Sequence, residues 1–180
     1  MSTLKGRKIL LGISSGIAVY KLVEIISLLK SLGVELKAVM TNNAKKLIKK
    51  GLFECETYTE LFIRYSDYSN YKENPQLFTH ITLAKFPDVI VIAPATANII
   101  AKIANGIADD LLTTIIITTK VKVFICPAMN VNMYQNKIVQ DNLRKLRKYG
   151  FEFIGPNFGE LACGDIGKGR LAEAKEISER

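Results

Sequence analysis

Short apolar runs that end at a proline or at a cluster of small residues constrain this chain most. Residues 8–13, 88–93 and 122–126 are apolar at successive rather than alternate positions, the pattern of strands covered on both faces. Helical spacing fills the gaps between them. Ala18, Leu22, Ile25, Ile26 and Leu29 fall on one face of a helix that stops at Gly33, and a helix over residues 97–104 follows the third strand. Gly106 then precedes a second short helix. Residues 34–40 and 151–154 supply two more strands, and Thr41, Asn42 and Asn43 are cap-type residues before a further helix. Residues 58–78 have no clean period and read as short irregular pieces. Strands separated by helices and short loops predict an α/β fold with a doubly wound parallel sheet, in a single domain over residues 1–180.

The bulk properties narrow the function. With 180 residues, 48% of them hydrophobic, the chain can bury one sizeable core. No apolar run reaches the roughly eighteen residues of a membrane span, and the first residues do not form a signal peptide. Neither a membrane location nor a secreted one is expected. Three cysteines, an odd number at wide spacing, do not make a disulfide framework. Cys55 and Cys126 read as buried thiols, and the compartment as reducing, hence cytoplasmic. The net charge of +8 is spread out and lacks interleaved aromatics, so nucleic acid is not the expected partner. Lys45, Lys46, Lys49 and Lys50 fit the solvated face of a helix whose buried side is Leu47, Ile48 and Leu52. A positive field suits anionic small molecules such as a phosphorylated cofactor and substrate. One histidine and three scattered cysteines exclude an ordinary zinc site.

Polar and small residues gather where the strands end. Ser14, Ser15 and Gly16 stand between the first strand and the first helix, as either a phosphate-type loop or a tight structural turn. The spacing is not that of a dinucleotide fingerprint. After the third strand, Thr96 can cap the next helix while its hydroxyl and the Asn98 amide face the cleft. Asp109 is either a cofactor neighbour or a helix cap. Pro127 cannot donate to a sheet ladder and ends its strand, which puts Asn130 at the carboxyl edge where open α/β sheets hold ligands. Its amide can grip a carboxylate without changing the charge, beside an apolar wall of Met129 and Met133. A second cluster, Leu161-Ala162-Cys163-Gly164-Asp165-Ile166-Gly167-Lys168-Gly169-Arg170-Leu171-Ala172-Glu173, reads as a loop. His80, the one histidine, is either structural or a proton carrier near neutral pH.

Together, Pro127-Ala128-Met129-Asn130-Val131-Asn132-Met133 and this second cluster resemble the flavin-dependent cysteine decarboxylases, over most of the chain from Ile9 to Ile177. Within that family the pair is most similar to the phosphopantothenoylcysteine decarboxylases of coenzyme A biosynthesis. Tyr134 stands where the family motif often has Trp, so an aromatic wall is expected to persist. The resemblance implies a Rossmann-like flavoprotein fold with FMN bound by Ser15, Gly16, Ile17, Thr41, Asn43, Thr96, Ala97, Asn98, Ile99 and Ala128. It implies His80, Asn130 and Cys163 as catalytic residues, and Asn130, Met133 and Ala162 as substrate contacts. In the implied reaction the substrate thiol is oxidised by hydride transfer to FMN, carbon dioxide leaves, and the hydride returns. Asn130 holds the carboxylate, and Cys163 delivers the last proton. Gly164, Gly167 and Gly169 make its loop flexible enough to close. A homo-oligomer built from trimers, and a covalently linked ligase domain beyond residue 180, are the partners it implies. A flavin prenyltransferase would lack the paired motifs. A peptide cysteine decarboxylase would share the chemistry, and a non-enzymatic regulatory homologue would usually lack one of His80, Asn130 and Cys163.

Overall fold

The central strand, β1 (Lys8–Ile13), pairs in parallel on one side with β2 (Glu35–Met40) and on the other with β4 (Val89–Ala95). The computed structural model describes residues 4–48, 53, 55–59 and 79–180. β3 (Glu56–Tyr58) extends the sheet beyond β2, while β5 (Lys122–Pro127) and β6 (Glu152–Phe153) extend it beyond β4. The order is β3-β2-β1-β4-β5-β6 with every pair parallel, the doubly wound Rossmann-like arrangement. The chain reverses direction across the sheet between β1 and β4, and such a switch point opens a crevice at the strand ends.

Alternate residues of β1 feed two separate cores, as a pleated strand requires. Ile9, Leu11 and Ile13 pack with Leu22, Ile25, Ile26 and Leu29 of α1 (Leu22–Ser31) and with Ile177 of α8 (Ala174–Ser178). Leu10 joins Ile90 and Ile92 of β4 on the opposite face. There they meet α3 (Thr79–Lys85), α4 (Ala97–Ala104), α5 (Leu111–Thr118) and α7 (Lys137–Lys148). Leu10, Leu11, Ile90 and Ile92 are fully buried, each contributing about 1.5–3 kcal/mol of transfer free energy. A Cβ on Gly12 would fall 2.6 Å from Cδ1 of the fully buried Leu112, so that side chain would have to shift.

Several local expectations shift. The first helix begins as a 3-10 turn, Ile17–Lys21, before α1 continues it. The helix capped by Thr41 is short, α2 (Asn42–Leu47), and it buries only Ala44. Leu47 is 57% exposed rather than part of a buried side, and Leu52 lies outside the described residues, as do residues 60–78. The cluster after residue 160 is no open loop. β7 (Asn157–Glu160) and β8 (Ile166–Arg170) form an antiparallel hairpin whose turn carries Cys163. α7 went unread although Asn136 caps it and Val139, Leu143 and Leu146 repeat at helical spacing. α6 (Val131–Gln135) is a single turn between β5 and α7. Among the described residues no helix is long and apolar enough to cross a membrane.

Candidate functional site

The carboxyl ends of β1, β4 and β5 and the hairpin turn enclose a cavity of about 790 Å³, within the range of small-molecule sites. After β1 come Ser15, Gly16 and Ile17; after β4, Thr96 and Asn98; after β5, Ala128, Met129, Asn130 and Met133; and from the hairpin, Ala162 and Cys163. Ser14 is buried beneath this surface. Its hydroxyl donates to the Pro94 carbonyl at 2.7 Å and accepts the Thr96 N–H at 3.1 Å, tying the β1 and β4 loops together. Thr96 caps α4 by accepting from Ile99 N–H at 3.4 Å. A Cβ on Gly16 would stand 3.3 Å from Thr96 Cγ2, so the two loops approach closely because residue 16 has no side chain. Neither the Ser15 hydroxyl nor the Asn98 amide is engaged by another group among the described residues. Small residues, free polar groups and an apolar wall of Ile17, Ala128 and Met129 fit a flat heteroaromatic cofactor with a polar tail, such as FMN.

The opposite wall is tied together by its backbone. Met129 N–H donates to Gly169 C=O at 3.0 Å, docking β8 onto the segment after β5. Gly167 and Gly169 are buried here, and their role is space rather than flexibility. A Cβ on Gly169 would meet the Met129 carbonyl oxygen at 2.2 Å, and one on Gly167 would meet Val131 Cγ2 at 2.7 Å. Only Gly164, at φ +86°, uses a conformation that favours glycine. The turn it shapes is closed by Gly164 N–H to Leu161 C=O at 2.8 Å and Leu161 N–H to Asp165 C=O at 2.9 Å. Cys163 Sγ then lies 3.5 Å from Asn130 Nδ2, so the two motifs meet across the cavity.

Four charged residues to which the sequence assigned no role stand at this site. Asp165 Oδ2 accepts from Asn130 Nδ2 at 2.6 Å and from the Cys163 thiol at 3.4 Å. Lys21 and Arg170 line the cavity and converge on Glu173, Lys21 at 3.2 Å. Burial works to raise the Glu173 carboxyl, but hydrogen bonds from Arg170 and Lys21 outweigh it and hold it below the usual range. Asp165 and Glu173 both fall inside the glycine-rich segment of residues 161–173. The Lys21–Glu173 pair, 152 residues apart, left no local signal.

Other expected site residues sit elsewhere. Thr41 uses its hydroxyl to cap α2, and Asn43 is exposed on that helix. Ala97 opens α4 and Ile99 is buried in the core behind it. His80 lies in the first turn of α3; none of these five lines the cavity. Tyr134 packs against the core of the α4–α7 face instead of forming a cavity wall. Asp109 is not the cap of α5: the neighbouring Asp110 caps that helix, while Asp109 pairs with Lys102 at 2.7 Å outside this cavity. Cys126 is fully buried, and burial pushes its thiol up to about 12; Cys55 is partly buried.

Known proteins share this architecture. The chain is 43% identical over 178 residues to the coenzyme A biosynthesis bifunctional protein CoaBC of Bacillus subtilis, covering 97% of this chain and 42% of that protein. It is 38% identical over 178 residues to a probable phosphopantothenoylcysteine decarboxylase of Streptococcus mutans, covering 97% and 96% respectively. It thus spans less than half the length of the CoaBC relative. A structure of a PPC decarboxylase cysteine-to-serine mutant, complexed with pantothenoylaminoethenethiol, superposes with a TM-score of 0.84. Identity there is 31%, covering 96% of this chain and 94% of that one. The FMN binding protein AtHal3 gives 0.82 at 32% identity, covering 97% and 94%. With its whole length, residues 1–180, matching the family, the chain belongs to the Flavoprotein family.

Proposed function

We propose that this chain is one FMN-binding domain, residues 1–180, that decarboxylates 4'-phosphopantothenoylcysteine to 4'-phosphopantetheine. The observation that carries this reading is the meeting of Asn130 and Cys163, 3.5 Å apart, on a cavity floored by the loops after β1 and β4. Bound FMN supplies a reversible two-electron acceptor for the carbon that bears the substrate thiol. Ser15, Gly16, Ile17, Thr96, Asn98 and Ala128 hold it. Ala97 and Ile99 support that surface from α4, and Thr41 and Asn43 lie nearby at the end of β2. Asn130 holds the substrate carboxylate through its amide, and Cys163 returns a proton from the hairpin turn. Met133 and Ala162 cover the substrate, and the apolar wall excludes water, which strengthens each polar contact inside. The pantothenoylaminoethenethiol in the mutant PPC decarboxylase structure is the kind of species that persists when that last proton is withheld.

His80 takes the thiol proton, and it does so across a subunit boundary. Within one chain it does not line the cavity, while the cavity residues Ile17 and Tyr20 expose 71% and 67% of their surface. A second copy covering that rim, in a trimer or a multiple of trimers, brings a histidine to the site. The bifunctional relatives suggest a ligase activity joined to this one, supplying the substrate in a reducing cytoplasm. Flavin-loaded protein given phosphopantothenoylcysteine should release carbon dioxide and form phosphopantetheine with no net oxidant consumed. No carbon dioxide from a protein that retains FMN refutes the assignment, and sedimentation as a monomer with FMN bound refutes the oligomer.

A further inference from the structure

Asn130 cannot greet a substrate carboxylate freely, because a carboxylate of its own chain already holds its amide. The amide's orientation is fixed: its Oδ1 accepts from Asn132 N–H at 2.8 Å, so Nδ2 must face the hairpin. There it donates to Asp165 Oδ2 at 2.6 Å, and hydrogen bonds to a carboxylate are shorter and stronger than neutral ones. The same oxygen accepts the Cys163 S–H at 3.4 Å. Asp165 is held in place by the hairpin turn, through Leu161 N–H to Asp165 C=O at 2.9 Å. Its side-chain carboxylate is therefore presented to Asn130 by a closed turn.

We infer that Asp165 is a positioning residue that occupies the substrate-carboxylate seat on Asn130 and exchanges with that carboxylate. This rests on the decarboxylase reading and adds to it a specificity step. Nδ2 carries two N–H donors, one directed to Asp165 at 2.6 Å and the other toward Cys163 Sγ at 3.5 Å. Two carboxylates brought to this one nitrogen repel each other, so the incoming group turns Asp165 away from Nδ2. Once carbon dioxide has left, the ligand has no carboxylate, and Asp165 returns to Asn130 and to the Cys163 thiol. Ligands with a carboxylate must compete with Asp165, and ligands without one need not.

The test uses the FMN-loaded chain and two unreactive ligands, followed by titration calorimetry. One is the serine analogue of the substrate, which keeps the carboxylate and lacks the thiol. The other is the corresponding ethanolamide, which lacks both. Asp165→Asn keeps the shape and removes the charge, and Asp165→Ala removes the competitor altogether; retained flavin absorbance and melting temperature verify folding. Both variants should bind the serine analogue about tenfold more tightly than the parent chain, with ethanolamide affinity unchanged. Equal shifts for the two ligands would mean a general change of the turn, and would overturn the inference. So would an unchanged affinity for the serine analogue in both variants. A parent chain that binds neither ligand refutes the decarboxylase reading itself, and the inference with it.

Discussion

On the β1/β4 side of the cavity, Ser14 turns its hydroxyl inward, where it bonds to the Pro94 carbonyl and the Thr96 amide. On the β5/hairpin side, Asn130, Cys163 and Asp165 bond to one another at the exposed rim. The first wall is held by buried bonds between neighbouring loops and presents backbone, the apolar Ile17 and the free groups of Ser15 and Asn98 to a ligand. The second keeps its reactive groups outside, joined to the fold through two glycines and the Met129–Gly169 backbone bond. A prebuilt wall suits a cofactor that stays, and an exchangeable network suits a substrate that enters and leaves. Changes on the two sides should therefore separate cofactor retention from turnover.

The largest separation comes from Cys163→Ser. An alcohol is a much weaker acid than a thiol, so the last proton transfer should stall and turnover should fall about a hundredfold to ten-thousandfold. Flavin content should match the parent chain, because the β1/β4 wall is untouched. Carbon dioxide should still appear in the first turnover, with reduced flavin accumulating. Normal product at the parent rate would remove Cys163 from the proton path.

Gly169→Ala attacks the joint instead of the chemistry. The new Cβ meets the Met129 carbonyl oxygen at 2.2 Å, a backbone atom that cannot swing aside, so the cost should lie near the upper end of overpacking, about 3 kcal/mol. The hairpin lifts, the Met129–Gly169 bond breaks, and substrate binding is lost while flavin stays. Urea denaturation and flavin absorbance read the two effects separately. A variant as stable as the parent would show that the hairpin shifts freely, as a flexible loop would.

These two positions also mark how far the sequence reaches. The strands were legible because residues buried on both faces leave uninterrupted apolar runs, as in β4. The Asn130–Cys163 partnership was legible through two unusual motifs. The hairpin was not, because Gly164, Gly167 and Gly169 suggest flexibility, whereas two of them are buried for close approach. Nor did the sequence indicate that His80 stands off the cavity of its own chain, since that depends on where α3 packs.

Ser14→Ala tests the other wall. It removes a buried donor to Pro94 and an acceptor for Thr96 N–H, leaving both unpaired, at a cost of about 2 kcal/mol. The β1 and β4 loops should loosen, and FMN should dissociate more readily on dilution. Alkylation of the exposed Cys163 should proceed at the parent rate, because the hairpin is docked through Met129 and Gly169. Tight flavin with a slower Cys163 reaction would reverse the proposed division between the walls.

The smallest effect contrasts two thiols. Cys126, at the end of β5, is fully exposed only in the unfolded chain, while Cys163 is exposed in the folded one. Burial pushes the Cys126 thiol from 9.0 to about 12 in the native state. Between these values the unfolded chain has released this proton and the native chain has not, so the unfolded state binds fewer protons and stability falls as pH rises. Below pH 9 the contribution is fully present; above it, loss should approach on the order of 1 kcal/mol per pH unit. Cys126→Ala lowers stability at every pH by opening a small void, yet its decline from pH 9 to 11 should be shallower than that of the parent. Chemical denaturation across that interval measures the slope. Parallel slopes would mean that the native Cys126 thiol ionises as readily as the unfolded one, and that the end of β5, one residue before the cavity segment begins, is open to water.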